Sequence, residues 1–124
     1  NGYKPNQSFI EIYKNNINYC TSPFNACKNA DLVVTDVWTS MGQESETKAR
    51  ATAFKNYTVT NELLSKAKKN ALFLHDLPAH RGEEIEDGVI ESAQSAVFDQ
   101  AENRLHTQKA LLLMILSAEQ EKGL

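Results

Sequence analysis

Two short runs carry most of the chain's chemical potential. The first begins at Asp36, which closes the β-branched stretch Leu32-Val33-Val34-Thr35 and is soon followed by Ser40-Met41-Gly42. A carboxylate at a strand end can hold a ligand's amino group. The hydroxyl and N–H groups of the tripeptide can hold a carboxylate, and glycine permits close approach or a hinge. Together they suit a zwitterion, although a turn or capping aspartate is the plainer account of Asp36 alone. The second run is His75-Asp76-Leu77-Pro78-Ala79-His80-Arg81-Gly82-Glu83-Glu84. His75, His80 and His106 have no recognised ligand spacing and no cysteine nearby, so no metal site is predicted. Arg81 and Arg104 are candidates for gripping phosphate or carboxylate with two donors. For Arg104, early in the last helix, a local salt bridge to Glu102 or Asp99 explains the charge equally well. Trp38 reads as a packing residue. Neither a Ser/His/Asp or Cys/His nucleophile set nor a glycine-rich phosphate loop can be assembled. The residues alone therefore indicate an α/β ligand-binding domain.

These runs need a scaffold. At 124 residues with 41% apolar content the chain is at most one domain with a modest core. Thirteen basic against sixteen acidic residues, net −3, with no block of either sign, point away from nucleic acid and anionic membrane surfaces. Cys20 and Cys27 fit neither a disulfide framework nor structural zinc, and a reducing compartment is expected. The longest apolar run, Ala110 to Leu116, is far short of the roughly 18 residues of a membrane span. The opening Asn1-Gly2-Tyr3-Lys4-Pro5 is polar and lacks methionine, as in a segment excised from a longer protein.

Short β-like runs alternate with helical patterns. Phe9, Ile12 and Tyr13 predict a helix over 7–15, Ile17 to Cys20 a short strand, and Pro23 to Asn29 one or two helical turns. Strand 32–35 follows, then a break at 40–42 and a helix over 45–55. A helix is predicted from Asn61 to Lys69, with a Glu62/Lys66 pair and lysines 66, 68 and 69 at its negative end. Ala71 to Leu77 is the second strand, Pro78 to Gly82 a loop, Glu83 to Glu91 undecided, and Ala96 to Asp99 a third buried strand. Asp99 and Glu102 have capping-box spacing for a last helix over about 100–120. Such alternation predicts a parallel sheet with helices on both faces, a three-layer, Rossmann-like arrangement. Both polar loops then share the carboxyl edge of the strands, where ligands bind in open α/β sheets.

The last helix is apolar around its whole circumference from Ala110 to Leu116. Such a helix needs cover on all sides, from a partner domain or subunit or from a central place in a small core.

The chain resembles ornithine carbamoyltransferase over nearly its whole length. The likeness runs from Asn1-Gly2-Tyr3 through Asp31-Leu32-Val33-Val34-Thr35-Asp36-Val37-Trp38, Ser40-Met41-Gly42-Gln43-Glu44 and Leu77-Pro78-Ala79-His80-Arg81-Gly82-Glu83-Glu84 to Val97-Phe98-Asp99-Gln100-Ala101-Glu102-Asn103-Arg104-Leu105-His106. The resemblance implies transfer of the carbamoyl group of carbamoyl phosphate to the δ-amino group of L-ornithine, giving L-citrulline and phosphate, in arginine biosynthesis. It also implies that Asp36 holds the ornithine α-amino group, with Ser40 and Met41 on the α-carboxylate in a closing loop. Leu77 would present its carbonyl near the δ-amino group beside a cis bond to Pro78 and would also touch carbamoyl phosphate, and Arg104 would contact carbamoyl phosphate as a catalytic residue. Asp76 departs from the family, which has cysteine there, and becomes a candidate catalytic residue touching both substrates.

By the same likeness, residues 1–124 are the ornithine-binding domain, truncated at its start. The carbamoyl-phosphate domain, with its Ser-Thr-Arg-Thr-Arg run, is absent from this chain. The fragment alone is expected to be inactive. The implied partners are the two small-molecule substrates, the N-terminal domain and identical subunits in a trimer, with no cofactor, metal, nucleic acid or membrane. The implied compartment is the bacterial cytoplasm or an organellar matrix. A non-catalytic amino-acid-binding or regulatory module of the same fold is the other reading, favoured by Asp76 and by length. Aspartate carbamoyltransferase fits less well, having His-Pro-Leu-Pro and no Ser-Met-Gly. Putrescine carbamoyltransferase also fits poorly, since its substrate lacks a carboxylate.

Overall fold

The computed structural model describes residues 2–120, so Asn1 and residues 121–124 lie outside the described residues. The elements in chain order are α1 (Gln7–Ile12), α2 (Pro23–Cys27), β1 (Leu32–Thr35), α3 (Thr47–Phe54), α4 (Asn61–Leu64), β2 (Leu72–His75), α5 (Asp87–Ile90) and α6 (Val97–Gln120). Short 3-10 turns, Glu44–Glu46 and Lys55–Tyr57, flank α3.

Local chemistry accounts for several boundaries. Asn6 caps α1 by accepting the Ser8 N–H at 3.0 Å, and Pro23 starts α2, where its missing N–H costs nothing. Thr60 Oγ1 accepts the Leu63 N–H at 3.1 Å to cap α4. The predicted helix over 61–69 stops at Leu64 because its next backbone groups are recruited elsewhere. Lys66 C=O accepts from Asn29 N–H and Lys68 N–H donates to Ala30 C=O, both at 3.0 Å. Lys68 also pairs with Asp31 at 2.6 Å rather than serving the helix end, and among the described residues no Glu62/Lys66 ion pair forms.

β1 and β2 pair in parallel, with Leu32 opposite Leu72, Val33 opposite Phe73, Val34 opposite Leu74 and Thr35 opposite His75. Alternation sends Val33, Phe73 and His75 inward, while Leu32, Val34 and Leu72 face solvent. The inward face meets Cys27 of α2, Leu63 and Leu64 of α4, Val89 and Ile90 of α5, and Ile85. Phe73, Ile85, Val89 and Val97 are fully buried, each contributing about 1.5–3 kcal/mol. On the outward face Leu72 and Leu74 share a cavity with Gln100, Asn103, Arg104 and Thr107 of α6, so helices lie on both sides of the sheet. Trp38 packs as expected: its ring stacks on Phe54 at 6.4 Å, and Phe54 lies 4.9 Å from Tyr3.

Two predicted strands do not form. Ile17 to Cys20 is irregular, because among the described residues no neighbouring strand offers it a ladder and Tyr19 stays exposed. The third strand lies earlier than predicted and shrinks to one parallel bridge, Phe73 to Ser95, with Phe73 N–H bonded to Gln94 C=O at 2.7 Å and Ala96 N–H to Phe73 C=O at 2.9 Å. Val97 to Asp99 belong to α6, since Ala96 C=O accepts from Gln100 N–H at 2.8 Å. Asp99 and Glu102 therefore sit inside the helix, not at a capping box.

The apolar stretch of α6 is bare. Leu111 to Leu116 are each between 51% and 71% exposed, which overturns a central place in a small core. Among the described residues no helix is long and apolar enough to cross a membrane.

Candidate functional site

Because Thr35 and His75 are register partners, the chain leaves both strands at the same edge, Asp36 from β1 and Asp76 from β2. The loops that follow enclose a cavity of about 530 Å³. Asp36, Ser40 and Met41 line it on one side, and Asp76, Leu77 and Pro78 on the other, with Glu44, Thr47, His80 and Glu83 at its rim. Four carboxylates, Asp36, Glu44, Asp76 and Glu83, border it, and among the described residues no lysine or arginine does. Such a wall attracts ammonium groups and repels anions, leaving the N–H groups of the 40–42 turn as the natural seat for a carboxylate.

The second loop is held from beneath. Leu77 N–H donates to His75 Nδ1 at 2.9 Å, so the ring proton sits on Nε2, which faces Glu84 Oε1 at 3.1 Å. The same oxygen accepts His80 N–H at 2.6 Å. Both His75 and Glu84 are fully buried, and among the described residues Glu84 Oε2 has no hydrogen-bond partner. This network fixes Leu77 at a φ of +55°, with Leu77-Pro78 cis as the resemblance implies. Gly82, at φ +87°, closes the loop where a side chain would be strained. Among the described residues one trio, His80, Glu83 and Glu84, brings possible metal-ligating atoms within 4.8 Å of one another, although Glu84 Oε1 is already engaged.

The first loop is tied mainly to itself, with the Trp38 C=O also accepting from Arg50 Nη1 of α3 at 3.2 Å. Gly42 takes φ +84°, and its N–H donates to Glu44 Oε1 at 2.9 Å, while Ser40 N–H reaches Gln43 Oε1 at 3.4 Å. The bond from Gly42, then that from its own N–H, holds the Glu44 carboxyl below its ordinary range. Asp36 is exposed and accepts Val37 N–H at 2.7 Å, and Met41 is almost wholly exposed.

The arginines lie elsewhere. Arg81 is clamped by Asp87 at 2.9 Å and Glu91 at 2.5 Å, and these bonds raise its pKa; the protein itself occupies the fork considered for an anion. Arg104 lines the separate cavity between β2 and α6, away from Asp36 and Asp76. The local ion pair considered for it is absent among the described residues, Glu102 instead approaching His106 at 3.6 Å. Sequence reasoning missed the His75–Glu84 support and the Glu44 contact. His75 had a usable signal, sharing the inward parity of Phe73, whereas nothing local marks Glu84 as buried.

The chain is similar to known proteins over most of its length. Residues 1–115 match the family model of the aspartate/ornithine carbamoyltransferase Asp/Orn binding domain. The ornithine carbamoyltransferase of Ruthia magnifica subsp. Calyptogena magnifica is 56% identical over 115 residues, 93% of this chain and 38% of that protein. The crystal structure of ornithine carbamoyltransferase from Thermus thermophilus matches at TM-score 0.78 and 39% identity, over 93% of this chain and 37% of that one. That of anabolic ornithine carbamoyltransferase from Campylobacter jejuni matches at TM-score 0.84 and 32% identity, over 95% and 41%. The chain thus spans about 38% of the length of the curated relatives it matches. With its parallel, Rossmann-like sheet and with a family match over almost every residue, the chain belongs to the aspartate/ornithine carbamoyltransferase family, within the Asp/Orn binding domain.

Proposed function

We propose that residues 1–124 belong to the ornithine-binding domain of an ornithine carbamoyltransferase. Such an enzyme moves the carbamoyl group of carbamoyl phosphate to the δ-amino group of L-ornithine, yielding L-citrulline and phosphate. The observation that carries this reading is the carboxylate-lined cavity joining Asp36, Ser40 and Met41 to Asp76 and Leu77. Ornithine bears two ammonium groups and one carboxylate, matching an anionic wall that is broken by a turn with N–H donors.

In this reading Asp36 holds the α-ammonium, and the 40–42 turn takes the α-carboxylate. The Leu77 carbonyl and Asp76 receive the δ-amino group. The amine must be neutral to attack. Its nitrogen forms the new bond to the carbamoyl carbon, the bond to phosphate breaks, and one proton leaves the nitrogen for Asp76 or the departing phosphate. Orientation supplies most of the acceleration, which suits a loop held by buried hydrogen bonds. Carbamoyl phosphate is bound chiefly by a separate carbamoyl-phosphate domain, with Arg104 reaching it once that domain covers α6. The bare helix and the anionic cavity both support this division. Assembly as a homotrimer, a cytoplasmic location and a place in arginine biosynthesis belong to the same proposal.

The test is a citrulline assay on the complete polypeptide beside this chain alone. Citrulline from the complete protein and none from the isolated chain is expected. No citrulline from the complete protein would overturn the assignment.

A further inference from the structure

One of the donors that the 40–42 turn offers a ligand carboxylate is already occupied. Gly42 N–H points at Glu44 Oε1 at 2.9 Å, and Glu44 lines the same cavity as Asp36, Ser40 and Met41. The loop makes this possible: Gly42 sits at φ +84° with open space around it, and Glu44 begins the 3-10 turn leading into α3. Glu44 is exposed and faces no basic partner among the described residues, so backbone N–H groups are its principal anchors. Ser40 N–H is likewise turned toward Gln43 Oε1.

We propose that Glu44 is a specificity-setting residue whose carboxylate occupies the Gly42 N–H as an internal stand-in for a ligand's α-carboxylate, which must displace it to bind. This rests on the reading of the cavity as an ornithine site. Two carboxylates cannot share one N–H at hydrogen-bond distance without strong repulsion, so ligand entry requires Glu44 to rotate away. A ligand with ammonium groups but no carboxylate meets no such competition. Glu44 therefore lowers affinity for the carboxylate end while adding to the cavity's attraction for amines.

Two fragments of ornithine separate these effects: L-norvaline, which lacks the δ-amino group, and putrescine, which lacks the carboxylate. Their inhibition constants against ornithine are measured in the citrulline-forming reaction of the complete enzyme. In Glu44→Gln, whose neutral oxygen is a weaker competitor, L-norvaline is expected to bind about three- to tenfold more tightly, with putrescine unchanged or weaker. Glu44→Ala should act in the same direction, and Glu44→Gln alone carries the test if that variant does not fold. Glu83→Gln removes another cavity carboxylate that has no bond to the 40–42 turn, and L-norvaline inhibition should stay within about twofold of the parent. L-norvaline affinity unchanged in Glu44→Gln, or raised equally in Glu83→Gln, would overturn the proposal while leaving the ornithine site intact. Absence of citrulline formation in the parent would instead remove the site reading on which it stands.

Discussion

His75 and Glu84 meet at 3.1 Å with neither side chain exposed, and through them the strand β2 grips the loop that carries Leu77, Pro78 and His80. The pair joins a strand end to a residue nine positions later. It converts an otherwise open loop into a fixed wall of the cavity.

Removing that carboxylate should be costly. In Glu84→Ala the His75 Nε2–H and the His80 N–H lose their shared acceptor in a buried place, and a destabilisation of about 2–4 kcal/mol is expected. Urea unfolding at neutral pH measures it. A loss below about 0.5 kcal/mol, typical of a surface site, would mean that the network does not hold the loop.

Glu44 gives the folded protein a pH-dependent contribution of known sign. Its carboxyl is held below the ordinary value of 4.5, so the folded state favours the ionised form. That stability is fully present above about pH 4.5 and fades as pH falls through the lower folded value. Parent and Glu44→Gln should therefore differ in stability near neutrality and converge in acid. A difference that persists unchanged to pH 2 would point to lost packing instead.

Asp76 should alter the chemistry of the complete enzyme rather than abolish it. Its side chain is 66% exposed beside the cavity, where a carboxylate strengthens amine binding but also retains the proton that the nucleophile must lose. Repulsion from a phosphate about 5 Å away would be on the order of 3 kcal/mol at an effective dielectric near 20, less with solvent screening. Asp76→Asn and Asp76→Cys should shift the pH profile of kcat. Two variants indistinguishable from the parent in rate and profile would make Asp76 a bystander.

Arg104 offers a substrate-specific readout. Arg104→Ala in the complete enzyme should raise the KM for carbamoyl phosphate by about tenfold or more, the scale of one charge-assisted contact, with little change in ornithine affinity. An equal effect on both substrates would place its role in folding.

The bare circumference of α6 should make the isolated chain sticky. Leu112, Met114 and Leu116, spread around the helix, are each more than half exposed, and apolar side chains left bare in this way seek an apolar partner. Sedimentation should show self-association of this chain at micromolar concentration, relieved by Leu112→Ser with Met114→Ser. A monodisperse monomer would argue that the helix needs no cover.

The sequence by itself determined the features that depend on near neighbours. A β-branched run makes β1, alternation divides Val33 and Phe73 from Leu32 and Leu72, a proline starts α2, and a fully apolar stretch marks α6 as needing cover. It also placed Asp36, Ser40, Met41, Asp76 and Leu77 on two loops at one sheet edge, since parallel strands put their carboxyl ends together. What only the tertiary structure decided depends on partners distant in the chain. The helix after Asn61 ends early because Asn29 and Ala30, more than thirty residues away, claim its backbone groups. Ile17 to Cys20 stays irregular because no neighbouring strand among the described residues pairs with it, and Arg81 is spent on Asp87 and Glu91. Nor could any local pattern reveal that Glu84 turns inward to His75, because a glutamate is buried only where the fold supplies donors to meet its charge.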